Sequence, residues 1–527
     1  MEVAGPERGE RVSAVLRALR GGVRVPRGKE PLQGAGSRGV PLPPLLTYPL
    51  QAHVGTPARP VVDVGQKVCR GELLAVPSSY VSQAIHAGTS GVIVEIGERA
   101  VIHPGGLRDT CVVLQVDGED RRLEPSPALD PGFATPQALL ARIAEAGIVG
   151  MGGAGFPSHV KLREGQTNAV RLLIINAVEC EPYISCDDCM IRERAADVVL
   201  GARILKQALG ASQCVIALEE DMQQAWGVLS ACDTAGTELV RVPAIYPAGS
   251  ERQLIRMITG AEVPTRGLPI DAGVVMHNAA TAVAVADAVV RGLPLTERLL
   301  TVAGAVRTPA NLRVRIGTPI AHLLDACGRS AGDARVIVGG PMMGTRLDDE
   351  SAPVVKTTNC VLRLPAADDE PGMPCIRCGD CVEVCPAQLQ PQALYEIARA
   401  GDWDGARDLH LFDCIECGAC AYVCPSRLPL VHYYRHAKSE IEALESAQRR
   451  AAELRSRYEA RLRRLAQSGG AAADTEEQVE ADAADVPAPT PDRAAMQAEI
   501  AAAIARTKAR RAATAPAPTG KDGDGTR

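Results

Sequence analysis

Eight cysteines in two runs of identical spacing constrain this chain more than any other feature. The first run is Cys375-Ile-Arg-Cys378-Gly-Asp-Cys381-Val-Glu-Val-Cys385-Pro386, and the second is Cys414-Ile-Glu-Cys417-Gly-Ala-Cys420-Ala-Tyr-Val-Cys424-Pro425. Both obey C-x2-C-x2-C-x3-C-P, the spacing of bacterial two-cluster iron–sulfur proteins. Three cysteines two residues apart let one tight loop wrap three irons, while the fourth, followed by proline, leaves the loop and reaches the other cluster. The spacing therefore predicts one [4Fe-4S] centre on Cys375, Cys378, Cys381 and Cys424, and a second on Cys385, Cys414, Cys417 and Cys420. Gly379 and Gly418 permit close backbone approach, and amides there can donate to sulfur. Structural zinc, the alternative, pairs two short two-cysteine units rather than placing four cysteines in one run.

The remaining composition bounds the class. The chain has 17 cysteines in 527 residues. An odd count in a long chain, with no apolar signal segment near the start, predicts a reducing compartment and not a disulfide framework. The nine scattered cysteines read as small buried residues. Cys180, Cys186 and Cys189 stand apart, but their spacing matches no metal template. A net charge of −6 and 3% aromatic residues argue against a nucleic-acid partner. The most apolar stretch, 273–290, is broken by His277, Asn278 and Asp287, so membrane association is expected to be peripheral or through partners.

The length predicts about three to five folding units. Residues 1–40, rich in Gly, Arg and Pro, read as a leader that wraps. Residues 41–125 carry short alternating segments with glycine turns, notably 61–75 and 85–96, and look like the two halves of a biotinyl/lipoyl-like barrel-sandwich. The stretch between those halves, 76–84, has no lysine, so a structural role is expected and not a swinging-arm carrier. From 130 to 295 strands alternate with helices, which implies a mostly parallel sheet covered on both faces. Helices are expected at 136–146, 188–209, 222–231, 251–259 and 279–291, with strands at 171–176, 213–218, 238–242 and 273–277. Residues 299–365 return to β-like alternation. The cysteine module occupies 370–435, and an Ala/Glu/Arg-rich helical and low-complexity tail fills 436–527, with a further helix near 492–513.

Gly150-Met-Gly-Gly-Ala-Gly-Phe-Pro157 contains a formal G-x-G-x-x-G. The dinucleotide fingerprint needs a strand before it and a helix after it. Here a helix precedes and Phe156-Pro157 follows, so that reading is rejected. Its unobstructed amides can still cradle a phosphate or lie against a ring, with Lys161 just beyond as a phosphate partner; the alternative is a plain tight turn. Downstream, Asn176-Ala-Val-Glu179-Cys-Glu181-Pro-Tyr183 follows the best-defined strand, where open α/β sheets place ligands. The alternative there is a solvated acidic loop.

Together these motifs resemble the RnfC (RsxC) family, the C subunits of Rnf/Rsx ion-translocating electron-transport complexes. The resemblance runs along nearly the whole chain. It takes in Gly21-Gly22 and Pro26, 86–91, 150–157, 176–183, 246–252, 278–281 and both cysteine runs. The α/β region and the β segment after it also look like the flavin-binding subunit of respiratory complex I, which would make 299–365 an SLBB (β-grasp) domain. The resemblance implies FMN held by Gly152, Gly153, Gly155 and Lys161, by Asn176, Glu179, Glu181 and Glu251, and by Asn278 and Thr281. NADH would stack on the flavin with Phe156 nearby. It further implies electron transfer through the clusters to membrane subunits, among them a carrier subunit with its own iron–sulfur clusters, from a peripheral position on the cytoplasmic side of the inner membrane. No side chain need act as acid, base or nucleophile. The chain departs from the family at Ser158, usually Thr, and at Gly249-Ser250-Glu251-Arg252, usually Gly-Gly-Glu-Lys. Two other readings stay open: a cobalamin reductase of the same architecture, and a two-cluster relay or scaffold with a vestigial flavin site.

Overall fold

The computed structural model describes residues 16–366 and 372–469; the expected helix near 492–513 lies outside them. Residues up to 442 form one compact unit.

The described part of the leader, 16–40, wraps as an extended strap. Its strand β1 (Ser37–Gly39) does not stay local but joins a sheet built from residues some 270 positions later, pairing in parallel with 311–313. The first domain follows, with β2 (Leu45–Pro49), β3 (Arg59–Pro60), β4 (Lys67–Val68), β5 (Leu73–Val76), β6 (Ile85–His86), β7 (Gly91–Ala100) and β8 (Arg108–Val116). These form two antiparallel sheets, β2-β8-β7-β4 and β3-β5-β6. Period-two alternation places Leu46, Tyr48, Ile93, Val112 and Leu114 in the core between them.

The second domain is α/β. It comprises α1 (Pro136–Glu145), α2 (Ser158–Thr167), β9 (Leu172–Ala177), α3 (Cys186–Leu209), β10 (Gln213–Glu219), α4 (Gln223–Ser230), β11 (Glu238–Val242), α5 (Glu251–Thr259), β12 (Val274–Asn278) and α6 (Ala279–Arg291). The strands run in the order β11-β10-β9-β12, all parallel. Because both faces are covered, β9 reads as a continuous apolar run, and Leu172 to Ile175 are all buried. The apolar stretch at 273–290 resolves into β12 and α6, and no helix among the described residues is long and apolar enough to cross a membrane.

The element that follows the glycine loop differs from the sequence reading. Helix α2 does follow the glycine loop, directly after Pro157. Its sequence, Ser-His-Val-Lys-Leu-Arg-Glu-Gly-Gln-Thr, is weakly amphipathic, and it is held by tertiary contact. A Cβ on Gly165 would collide with the Leu209 side chain. The loop is still entered from α1, and strand β9 comes only after α2, so the strand–loop–helix order of a dinucleotide fingerprint is absent.

The third domain contains β13 (Glu297–Gly304), β14 (Ala310–Arg315), α7 (Ile320–Cys327), β15 (Ala334–Val338), β16 (Thr345–Leu347) and β17 (Cys360–Pro365). With the leader strand the sheet order is β1-β14-β13-β17-β15-β16. Helix α7, which β-like alternation did not anticipate, buries Ile320, Leu323, Leu324 and Cys327 against this sheet. The cysteine module adds α8 (Asp380–Glu383), α9 (Pro391–Ala400), α10 (Trp403–Asp408), α11 (Ala419–Tyr422) and the start of α12 (Leu430–Gly469). Its own core gathers Leu394, Tyr395, Ala406, Leu411 and Tyr434.

Candidate functional site

The cysteine module divides its eight sulfurs into two groups. Cys375, Cys378, Cys381 and Cys424 line one cavity. Cys385, Cys414, Cys417 and Cys420 line the other. These are the sets that the spacing predicts, with each fourth cysteine crossing to the opposite group. Left-handed backbone at Arg377 and Glu416, and again at Gly379 and Gly418, turns each loop tightly enough to aim three sulfurs inward. Backbone amides point at the sulfurs as well: Arg377 N donates to Cys375 Sγ, Glu416 N to Cys414 Sγ and Leu389 N to Cys385 Sγ, each at 3.4 Å. Burial pushes the Cys417 thiol up to about 12, and Cys414 and Cys385 add repulsion. Four converging thiolates therefore need a multivalent cationic partner to ionise together, and this donor set fits a four-iron cluster in each cavity.

The second group sits against the α/β domain. The Tyr246 hydroxyl, buried, donates to the Cys417 carbonyl at 2.5 Å. Thr265 Oγ1 donates to Asp413 Oδ2 at 2.9 Å, and Ile415 packs with the apolar cluster that contains Tyr246 and Val242. Glu416 is held below the ordinary glutamate range, against its own burial, by Lys438 and Arg435 at 2.8 and 2.9 Å.

The glycine loop is built from three sides. Asn278 caps α6, its side-chain oxygen accepting from Ala280 N at 2.8 Å, while Thr281 in the first turn accepts from Met151 N at 3.0 Å. A Cβ on Gly152 would come within 2.9 Å of Asn278 Cβ. Gly155 has φ +75 and would press on Thr357, so both positions require glycine. Gly153 is exposed, and a Cβ there would meet nothing within 4 Å. Phe156 is 37% exposed. The starts of α2 and α6 both border this loop, and the positive ends of their helix dipoles bias it toward negative groups.

Several predicted residues join one network. Lys161 Nζ donates to Glu251 Oε1 at 2.8 Å and to the Met276 carbonyl at 2.7 Å. Asn176 Nδ2 donates to the Gly249 carbonyl at 2.8 Å, and Asn278 Nδ2 reaches the Asn176 carbonyl at 3.4 Å. The exposed amides of the loop, the two helix starts and the lysine beyond them fit a phosphate-bearing planar cofactor.

The two glutamates are engaged elsewhere. Glu179 accepts from Asp187 N at 2.8 Å and from Asp188 N at 3.4 Å, so it caps α3. Glu181 accepts from Met342 N and Met343 N at 3.2 and 2.9 Å, tying the α/β domain to the third domain. Burial pushes both carboxyls up to about 7.

Sequence reasoning missed four contributors. Lys29, from the leader, donates to the Glu179 carbonyl. Asp187 accepts from Asn278 Nδ2 at 2.6 Å. Arg298, fully buried, donates to Met151 Sδ at 3.1 Å, under the glycine loop. His277 is buried with neither ring nitrogen hydrogen-bonded, and burial and Lys161 together hold it neutral, with its pKa lowered to about 3. Asp187 alone had a local signal, an acid at the start of the helix after β9. Of the three cysteines set apart, Cys186 donates to Glu179 Oε1 at 3.5 Å and Cys189 to Glu193 Oε1 at 3.7 Å.

Comparison with known proteins follows this division closely. The RnfC barrel sandwich hybrid domain matches residues 17–119, the Nuo51 FMN-binding domain 143–287, the SLBB domain 299–346 and the 4Fe-4S dicluster domain 374–428. Fold and site thus define an iron–sulfur protein built on an FMN-binding α/β domain of the complex I type. Among curated proteins, the C subunit of the ion-translocating oxidoreductase complex of Pseudomonas aeruginosa is 44% identical over 458 residues, covering 86% of this chain and 59% of that protein. The Klebsiella pneumoniae C subunit is 43% identical, over 86% of this chain and 61% of that one. The C subunit of Salmonella arizonae is 42% identical over 506 residues, covering 94% of this chain and 73% of that protein. The chain belongs to this family, the C subunits of ion-translocating oxidoreductase complexes. It spans about three fifths of the length of the first two relatives.

Proposed function

We propose that this chain is the electron-input subunit of a membrane-bound ion-translocating oxidoreductase complex. It exchanges electrons between NADH and two [4Fe-4S] clusters through FMN, and passes them to membrane subunits, one of which carries iron–sulfur clusters. The observation that carries this reading is the pairing of two four-cysteine cavities with a glycine loop on one compact unit. When bound, FMN supplies the conversion between two-electron and one-electron chemistry, and the clusters supply one-electron carriage.

The chain's own residues bind and position. The amides around Gly152, Gly153 and Gly155 and the starts of α2 and α6 would hold the phosphate and ring of FMN, with Lys161 supplying positive charge and Glu251 fixing the lysine's direction. Asn278 and Thr281 set the shape of the loop, and the Asn176 carbonyl holds Asn278. Glu179 and Glu181 act one layer back, holding α3 and the third domain in register with it. Phe156, half-exposed beside the loop, offers NADH a ring to pack on. Tyr246 fixes the second cysteine group against the α/β domain. We assign the protein to the cytoplasmic face of the inner membrane, held there by its partners, a placement supported by family membership and by the lack of a membrane-crossing helix among the described residues.

Gly153 provides the test. Its Cβ position is open, so Gly153→Trp will fold and load iron like the parent chain. If the loop cradles FMN, the indole fills that space, and flavin bound per chain, read by absorption after anaerobic reconstitution, will fall about tenfold or more. Unchanged flavin content would favour a two-cluster relay.

A further inference from the structure

The two cysteine runs are internal copies with one local shape. Left-handed backbone recurs at Arg377 and Glu416, at Gly379 and Gly418, and at Gln388 and Arg427. A four-residue helix follows each glycine, α8 in the first copy and α11 in the second. What covers the copies is different. In the second, Cys417 and Cys420 are buried, Ile415 packs into the apolar cluster around Tyr246, and a Cβ on Gly418 would sit 2.9 Å from the Met342 carbonyl oxygen.

In the first copy the equivalent surface faces outward. Ile376, the counterpart of Ile415, is 67% exposed, Met373 is 64% exposed, and Cys378 is exposed where Cys417 is buried. Arg377 replaces Glu416. Glu416 is neutralised by Lys438 and Arg435, whereas Arg377 is exposed and has no ion pair among the described residues. An apolar pair and a cation with no ion pair among the described residues, beside a metal-binding loop, form a recognition surface, not a solvated one.

We propose that the loop at 372–378 docks a second redox protein in the way that the second copy docks the α/β domain. Ile376 enters an apolar socket and Arg377 meets a carboxylate, so the partner presents an apolar, acid-bearing face next to its own one-electron centre. This rests on the reading of the eight cysteines as cluster ligands. Transfer across the face moves one electron from the cluster on Cys375, Cys378, Cys381 and Cys424 to the oxidised centre of the partner, with no bond made or broken. The internal repeat argues for a protein occupant, because the same loop shape already has one in the second copy. The exposed Cys378 argues for a redox protein.

The test uses the full chain in membranes that hold the complete complex. A photocrosslinking residue, Ile376→p-benzoylphenylalanine, should attach to a peptide from a polypeptide that carries its own redox-centre ligands. Attachment to this chain's tail or to a second copy, or no attachment at all, would overturn the proposal. A second measurement does not depend on that variant. Ile376→Asp and Arg377→Glu chains, purified anaerobically with iron content unchanged, are reduced by dithionite, freed of it and mixed with membranes lacking only this chain. Return of cluster absorption should slow about tenfold or more in both, and the Arg377→Glu rate should lose its dependence on salt. Parent-like rates in both would overturn the proposal. Because dithionite loads the clusters directly, failure of the NADH reading would look different: normal exchange with membranes, but no response to NADH.

Discussion

At the scale of single residues, Lys356 shows how one side chain fixes the relation of three domains. Its ammonium nitrogen donates to the carbonyls of Ala84 in the first domain and Gly147 in the second, at 2.5 and 2.7 Å, from its own position in the third. Burial lowers its pKa from 10.5 to about 7. The unfolded chain keeps that proton to about 10.5, so between pH 7 and 10.5 the unfolded state binds more protons and stability rises with pH. Below about 7 both states are protonated and the cost of burying the charge is fully present. Other buried groups act in different windows. His53 and His86, lowered by burial to about 4 and 3, also favour higher pH, but only below 6.5. Glu179 and Glu181, raised from 4.5 to about 7, destabilise the fold as pH rises between those values. Buried thiols such as Cys111, Cys180 and Cys189, raised from 9.0 to about 12, oppose that rise as pH approaches 9. The Lys356 contribution is therefore read by difference: from pH 7 to 9 the thermal midpoint of the parent should gain steadily on that of Lys356→Met, and the variant should be less stable at pH 9 by about 1–3 kcal/mol, because two buried carbonyls lose their donor. A difference between the two profiles that stays constant from pH 7 to 9 would contradict this.

At the scale of elements, α3 and α6 pack closely in the α/β domain, and Gly201 permits it. A Cβ at that position would collide with the Ala282 carbonyl oxygen, a backbone atom that cannot swing aside. Arg194, itself the residue where α3's helical angles break, clamps the same pair with bonds of 2.9 and 2.7 Å to Asp287. Gly201→Ala should cost about 1–3 kcal/mol in urea unfolding despite alanine's better helix propensity, since overpacking outweighs it. Equal or greater stability in the variant would refute the contact. The elements legible in the sequence are those whose information is local. Helix α5 shows its apolar face in Leu254, Ile255 and Ile258, and β9 its buried run. Helix α2 was illegible because its stripe is weak and it is held by Leu209 and Val275 from other elements. Strand β1 was illegible because its partner lies far along the chain.

At the scale of the whole molecule, the same distinction explains the site. The cysteine sets could be read from spacing because each loop carries three of its four sulfurs within seven residues, and the fourth is marked by its proline. The glycine loop, Lys161 and Asn278 could be named from motifs. The roles of Glu179 and Glu181 could not, because they depend on α3's first turn and on Met342 and Met343 in another domain. Lys29 arrives from the leader by the same long-range route. The proposed function requires one chain to join an NADH-responsive flavin site to two clusters. The most direct measurement is the absorption spectrum of the anaerobically purified full chain, before and after NADH, with iron and flavin quantified on the same sample. The expected result is about eight irons per chain, bound flavin, and bleaching by NADH of the flavin bands followed by the broad cluster absorption. Iron without flavin, and a spectrum that NADH leaves unchanged, would contradict it.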